Sequence, residues 1–489
     1  MRIVPQLDAY PRLVSFGQTA LGKAVLLGAF AGGLFFNRLD SWIEITAAVA
    51  AMTYFPARRR RLVSMAALYW LVFHSTWLNW AFLRELATAA GQKTDWTLTV
   101  LLSGILAAVF CVLAVFFRYV RARRVSLAAK RPVLCLMAGY ALMLAAGALL
   151  PLGGMTRLLV WSVIAVTAPY LWFFAYALKD ASARTPDDAV LQFGTLQPFW
   201  GSPNVPVPKG AANLRNIEAR NPEDLSITQL KAIKLLIWVF TLQVLQQGLL
   251  LFVHGAPGEL VLRLIGLLHW TVPNLGVPTL ETSLQRAVVP VHIAWASLIA
   301  HFAQALLSAA VGPNLVIACC RMAGFNALRN SYRPLQALTV AEFWNRYNYY
   351  FKEVLVDFFF FPVFTRYFKQ YRRLRLFAAT MAAATVGNMI YHFSLDYRSV
   401  AQMGLWRALV GFQVYSFYST VLGLGIGISQ LRGHGGQRAR GDASRWRRAL
   451  ATVGVLLFFC LLEVFDQEGR SVGLGRYGRF FLRLFSIPV

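Results

Sequence analysis

Eleven apolar stretches, near residues 20–37, 41–56, 62–82, 97–117, 132–150, 156–178, 232–253, 289–311, 376–397, 405–428 and 449–465, constrain this chain more than any other feature. A helix crosses the hydrocarbon core of a bilayer with about 20 apolar residues, whereas a barrel strand needs only about 10. A lipid interior offers backbone N–H and C=O groups no water, so runs of this length cross as helices. Hydrophobic residues make up 57% of the chain and charged residues 14%, which excludes a soluble domain wrapped around one core. The expected fold is all-α: a polytopic transmembrane helical bundle of about eleven crossings, a single membrane-embedded domain over residues 1–489 with re-entrant or interfacial helices. The run Leu260–Trp270 is short, carries Arg263 and leads into "TVPNLGVPTL", and is expected to be such a re-entrant or interfacial helix.

The formal charge of +27 comes from 48 Lys and Arg against 21 Asp and Glu. These cations form no single face or tail. "ARRRR" (57–61), "RYVRARR" (118–124), "RRLR" (372–375) and the Arg432–Arg448 segment each flank an apolar run, the pattern of cytoplasmic loops, and argue against a nucleic-acid partner. With Arg2, Arg12 and Lys23 in the cytoplasm, successive crossings return Arg58, Arg121, Lys179 and Arg440 to the same side. The tail bearing Arg470, Arg476, Arg479 and Arg483 then falls outside, so either the last crossing is miscounted or the tail is an interfacial helix. Asp180–Lys231 is read as a cytoplasmic loop, rich in proline between Pro198 and Pro208 and carrying Trp200. Five cysteines show neither CxxC nor His-rich metal spacing, and no metal site is expected. The first apolar run lacks a cleavage site and is taken as a retained helix.

One stretch breaks the apolar monotony: "EFWNRYNYYFKEVLVDFFFFPV", Glu342–Val363. Phe343, Trp344, Asn345, Arg346, Asp357 and Pro362 stand at the steps of a motif that resembles the signature of the membrane-bound O-acyltransferases, closest to the bacterial branch of alginate acetylation and teichoic-acid D-alanylation. Downstream, "GNMIYHFSL" places His392 where that family embeds a histidine in a helix, and Asn348 stands at the family's first polar position, a histidine in the bacterial branch. The likeness covers residues 335–395, the motif-bearing catalytic region. It implies transfer of an acyl group from a thioester donor, acyl-CoA or an acyl carrier protein, to a hydroxyl of a cell-envelope polysaccharide, lipid or other acceptor. No bound cofactor is implied. Membrane lipids and protein partners of an envelope-modification assembly belong to the same expectation, as does a bacterial inner membrane.

The residue types suit this chemistry. An unpaired charge at mid-membrane costs roughly 2.5–3.5 kcal/mol on insertion scales, whereas a neutral imidazole is cheaper and still accepts a proton near neutral pH. His392 is therefore the candidate base, and Asn348 its polar partner, orienting the hydroxyl, holding the histidine tautomer or binding the oxyanion. Arg346 and Lys352 are candidates for the donor's phosphates, with Trp344, Tyr347 and Tyr391 as further substrate contacts. Each has a plainer reading: a lone membrane histidine is usually a hydrogen-bonded packing residue, and Trp344 and Arg346 would equally anchor a helix at headgroup level. His74, His254, His292 and His301 read as structural, His269 and His434 carry little signal, and Glu44 and Glu463 sit near helix ends without forming a relay. No GxSxG, P-loop or HExxH occurs. Two other functions compete. A transporter would need helix breaks in paired halves, hinted at only by Pro290, Pro313 and the short Leu260 run; a non-catalytic subunit is suggested by Asn348 in place of histidine.

Overall fold

The computed structural model describes residues 4–37, 39–73, 79–92, 96–123, 126–181, 191–192, 209–256, 258, 260–261, 266, 273–286, 288–433, 444–466 and 473–487. Among them there is helix and no strand ladder, only an isolated bridge between Glu218 and Phe325. In chain order the principal helices are α1 (Pro11–Gln18), α2 (Ala20–Phe36), α3 (Trp42–Tyr54), α4 (Arg59–Phe73), α5 (Trp80–Ala89), α6 (Trp96–Ala122), α7 (Pro132–Leu149) and α8 (Gly154–Ala181). Then come α9 (Pro222–His254), α10 (Val291–Met322), α11 (Val340–Tyr347), α12 (Tyr349–Leu355), α13 (Phe361–Arg366), α14 (Arg372–Met381), α15 (Asn388–Leu395) and α16 (Tyr397–Met403). The chain finishes with α17 (Leu405–Gly411), α18 (Gln413–Gly433), α19 (Arg445–Leu462) and α20 (Leu474–Arg483).

Six of these, α6, α7, α8, α9, α10 and α19, are long and apolar enough to cross a membrane, and two sharply bent pairs, α1 with α2 and α17 with α18, raise the number to eight. The expected run at 41–56 becomes helix α3 of 13 residues, about 20 Å at 1.5 Å per residue, and the described part of the run at 62–82 lies in α4 and the start of α5. Helix α3 falls short of a hydrocarbon core of about 30 Å. The run at 376–397 is helical but changes pitch at a π-helical segment, Ala382–Gly387.

The supposed loop from Asp180 to Lys231 needs correction at its end. Helix α9 begins at Pro222, because "NPED" supplies the groups that a helix start requires: Asn221 Oδ1 accepts from the Asp224 N–H at 2.8 Å, proline takes the first helical position, and Glu223 and Asp224 complement the dipole. Gly210–Ile217 is also helical. Trp200, Pro198–Pro208 and most of the Leu260–Trp270 run lie outside the described residues, as do His74, His269, His434 and Arg440.

The chain divides into two compact units, residues 1–237, 315–328 and 394–408 forming one and residues 238–314, 329–393 and 409–489 the other. In the first unit α8 is the central helix, buried along most of its length, with Tyr170 and Phe174 packing on Phe110 of α6. Arg59 is buried there and acts as a staple: it donates to the carbonyls of Met52 and Ala219 and faces Glu218 at 3.6 Å. Gly324, at φ +94°, gives the guanidinium room, since a Cβ there would sit 2.9 Å from Arg59 Cζ. The second unit is built on a core of α10, α11, α18, α19 and α20, including Leu298, Phe343, Leu422, Phe459 and Phe480. The amphipathic tail helix α20 turns Tyr477, Phe480 and the adjoining Leu484 into this core and leaves Arg476 and Arg479 exposed.

Candidate functional site

The motif-bearing segment lies wholly in the second unit. Helix α11 starts at a capping box: Thr339 Oγ1 accepts from the Glu342 N–H, and the Glu342 carboxylate reaches back to the Leu338 N–H at 2.8 Å. It ends at Tyr347, whose hydroxyl donates to the carbonyl of Ala305 at 3.4 Å, close to the middle of the 32-residue α10. The α11–α12 corner, with Asn348 at its apex, is thereby carried to mid-depth of the helix it packs against. Asn348 is half-buried and makes no side-chain cap for α12.

A residue that no sequence motif marks caps α12 instead. Asn330, fully buried, accepts the Tyr349 N–H on its carbonyl at 2.8 Å and the Tyr350 N–H on its Oδ1 at 3.2 Å. Its own N–H donates to Asn314 Oδ1 at 3.2 Å, and its Nδ2 reaches the carbonyl of Ala309 at 3.5 Å. Pro313 explains the last contact: lacking an N–H, it leaves the carbonyl four residues earlier without its helical donor, and Asn330 takes it. The break read as a hint of a transporter is thus the anchor point of the α11–α12 corner. The signal available in the sequence was the pairing of "GPN" inside an apolar helix with a second asparagine in the next loop.

His392 sits on α15, and three polar contacts clamp its helix to α18. Thr380 Oγ1 donates to Gln430 Oε1 at 2.6 Å, Thr385 Oγ1 to the Ser419 carbonyl at 3.2 Å, and the Tyr415 hydroxyl to Asn388 Oδ1 at 2.9 Å. Glycines bring the two elements close. Gly423 and Gly427 of α18 receive Thr385 and Phe377, and Gly387 receives the Phe359 ring, where a Cβ would come within 2.6 Å. Gly387 closes one π-helical segment and Phe359 belongs to the other, Val356–Phe360. Each inserts an extra residue and so rotates the face presented by the next turn of helix, and segments of this kind are frequent at functional sites.

Around the His392 ring stand Tyr415, with ring centres 4.5 Å apart, Tyr391 at 5.2 Å and Phe351 of α12 at 5.5 Å. Phe351 also meets Tyr391 at 4.7 Å and Trp344 at 6.1 Å. Trp344, Tyr391 and His392 therefore share one aromatic nest, and Asn348 stands one turn before its central ring. Asn388, one helical turn before His392, is fully buried, and while Tyr415 occupies its oxygen its Nδ2 has no partner among the described residues. A buried amide N–H left unpaired costs about 1–3 kcal/mol, so this group is a donor waiting for an acceptor. The two expected phosphate ligands are otherwise engaged: Arg346 pairs with Glu342 one turn back and donates to the Arg333 carbonyl, while Lys352 meets Glu353 at 2.9 Å over the Tyr349 ring. His301 faces Glu463 at 3.6 Å, at the end of α19. No group of three or more potential metal ligands occurs among the described residues.

A scan against protein-family models returns no match for this chain, and a search of curated proteins returns none either.

Proposed function

We propose that the chain is an integral membrane O-acyltransferase, resembling the membrane-bound O-acyltransferase family, that moves an acyl group from a thioester to an alcohol. The observation that carries this reading is the aromatic nest of Phe351, Tyr391 and Tyr415 around His392, with the Tyr415 hydroxyl bonded to Asn388, whose Nδ2 has no partner among the described residues. His392 accepts the proton of the acceptor hydroxyl as its oxygen bonds to the thioester carbonyl carbon. The negative charge that develops on the carbonyl oxygen is met by the Asn388 Nδ2–H, with Asn348 holding the hydroxyl. Collapse of the tetrahedral adduct breaks the C–S bond, and the imidazolium returns its proton to the leaving thiolate, giving ester and free thiol. Aromatic walls keep water from competing for the acyl group.

The donor is acyl-CoA or an acyl carrier protein, and the acceptor is a hydroxyl of a cell-envelope polysaccharide or lipid. The bacterial inner membrane is the proposed location. The test is release of free thiol and acyl ester by the purified chain in vesicles, supplied with labelled acyl-CoA and an envelope extract. His392→Ala is expected to slow transfer by about 10²–10⁴-fold, the usual worth of a positioned base. Transfer at the wild-type rate in that variant overturns the assignment. A wild-type chain that transfers nothing yet is required for ester formation in cells would instead be a non-catalytic subunit.

A further inference from the structure

The first unit carries a feature that the acyl-transfer reading leaves untouched. Between α3 and α4 runs a groove of about 390 Å³, walled by Ala47, Ala48 and Ala51 on one helix and Leu62, Met65 and Tyr69 on the other. Its size is that of a small-molecule site, roughly 300–1,000 Å³. At one end the Tyr69 hydroxyl donates to Glu44 at 3.1 Å, which gives that carboxylate a partner at the apolar wall. At the other end stand the four arginines at the α3–α4 turn, and they divide into two pairs. Arg59 and Arg60 both face Glu218, at 3.6 and 3.3 Å. Arg58 and Arg61 are exposed. Arg61 stands one helical turn before Met65 of the groove wall, and Arg58 lies one turn further out on the same face.

We propose that this groove binds one anionic phospholipid, with an acyl chain between α3 and α4 and its phosphate between Arg58 and Arg61. Charge complementarity selects the occupant. A neutral lipid would fill the apolar walls equally well but leave two guanidiniums beside a zwitterion, whereas a net-negative headgroup answers both. The dimensions agree, since Arg61 to Tyr69 spans about 12 Å along α4, close to the roughly 15 Å of one hydrocarbon leaflet. A helix as short as α3 is mismatched to a full bilayer, and a lipid seated in the groove covers its apolar wall. The inference rests on bilayer placement alone and stands or falls independently of acyl transfer.

Native mass spectrometry of the full chain in detergent tests it, with palmitoyl-oleoyl phosphatidylglycerol titrated against phosphatidylcholine carrying the same chains. Wild type is expected to retain one phosphatidylglycerol with about thirtyfold preference, on the usual weight of two basic residues near a membrane surface. Arg58→Gln with Arg61→Gln should erase the preference and leave weak binding of both lipids. Ala48→Phe, or Met65→Trp at the exposed lip should the first variant not fold, should lower binding of both. Equal binding of the two lipids by wild type overturns the proposal. So does a preference that survives the arginine changes, or phosphatidylglycerol binding untouched by filling the groove.

Discussion

Asn388 and Asn330 show two opposite uses of a buried amide. Asn330 spends every hydrogen-bonding group on structure: two N–H groups of α12, the side chain of Asn314 and the carbonyl freed by Pro313. Replacing it by alanine removes a cap, worth about 1 kcal/mol, and strands buried partners at about 1–3 kcal/mol. Asn330→Ala should therefore lower stability by about 3 kcal/mol, read as an earlier thermal or denaturant midpoint; an unchanged midpoint would show that the corner is held some other way. Asn388 keeps its Nδ2 unspent. On the proposed chemistry, Asn388→Ala should lower turnover by about 10²–10³-fold, the worth of one oxyanion donor, while thioester binding changes little. A structural role alone would move the unfolding midpoint and leave turnover per folded molecule intact, so the two measurements together decide. The motif made His392 and Asn348 legible in the sequence. Asn388 and Asn330 were not, because an asparagine shows its value only through the groups it faces, and their partners Tyr415 and Asn314 lie 27 and 16 residues away.

At the scale of elements, the glycine contacts set how closely α14 approaches α18 and how closely the two π-helical segments approach each other. A Cβ on Gly427 would come within 2.7 Å of the Phe377 ring, and one on Gly387 within 2.6 Å of Phe359. Gly427→Val and Gly387→Val are each expected to cost about 1–3 kcal/mol by overpacking, and Gly387→Val should also displace the turn that leads to His392. Loss of activity from Gly387→Val beyond its loss of folded protein is the outcome that supports this placement; a fully active, equally stable variant opposes it. A second tie joins the short turn Leu7–Ala9 to α9, where Asp8 meets Lys234 at 2.9 Å. Partial burial pushes the Asp8 carboxyl upward, but the Lys234 hydrogen bond and the charges of Lys234 and Lys231 outweigh it and hold it below the usual range. The stabilisation is therefore present above the unfolded-state value and fades as pH falls through the depressed folded value. Asp8→Asn should destabilise the protein at pH 7, and the difference from wild type should shrink in acid; a difference that is flat down to pH 3 would contradict it. Helices were the readable elements, since apolar runs define them. The π-helical segments were not, because they come from the seating of Phe359 on Gly387 and not from periodicity. The start of α9 was readable in "NPED".

For the molecule as a whole, composition announces membrane helices, but the number of crossings depends on lengths that hydropathy alone overstates. Run 41–56 looks like a span because apolar residues flank its break, yet α3 is only 13 residues long. Orientation within the second unit is better determined. Phe417 near the start of α18 packs on Phe465 just past the end of α19, so these helices run antiparallel. Thr380 of α14 meets Gln430 near the end of α18, which brings Arg372, Arg373 and Arg375 to the same end as Arg432, Arg445, Arg447 and Arg448. Trp295, near the start of α10, donates to the Leu484 carbonyl at 2.8 Å, and α20 also packs near Phe465, at the opposite end. The positive-inside tendency predicts that the richer cluster is cytoplasmic and that α20 lies on the outer surface, its apolar face on protein and its arginines toward headgroups. Single cysteines at Tyr371, Ser444 and Arg479, all exposed, make this measurable in a background with the exposed Cys111 replaced. A membrane-impermeant maleimide added outside intact cells should label position 479 and spare 371 and 444, with the converse in inverted vesicles. If all three positions label from one side, α19 does not cross and the tail's arginines belong to the same cytoplasmic cluster as the others.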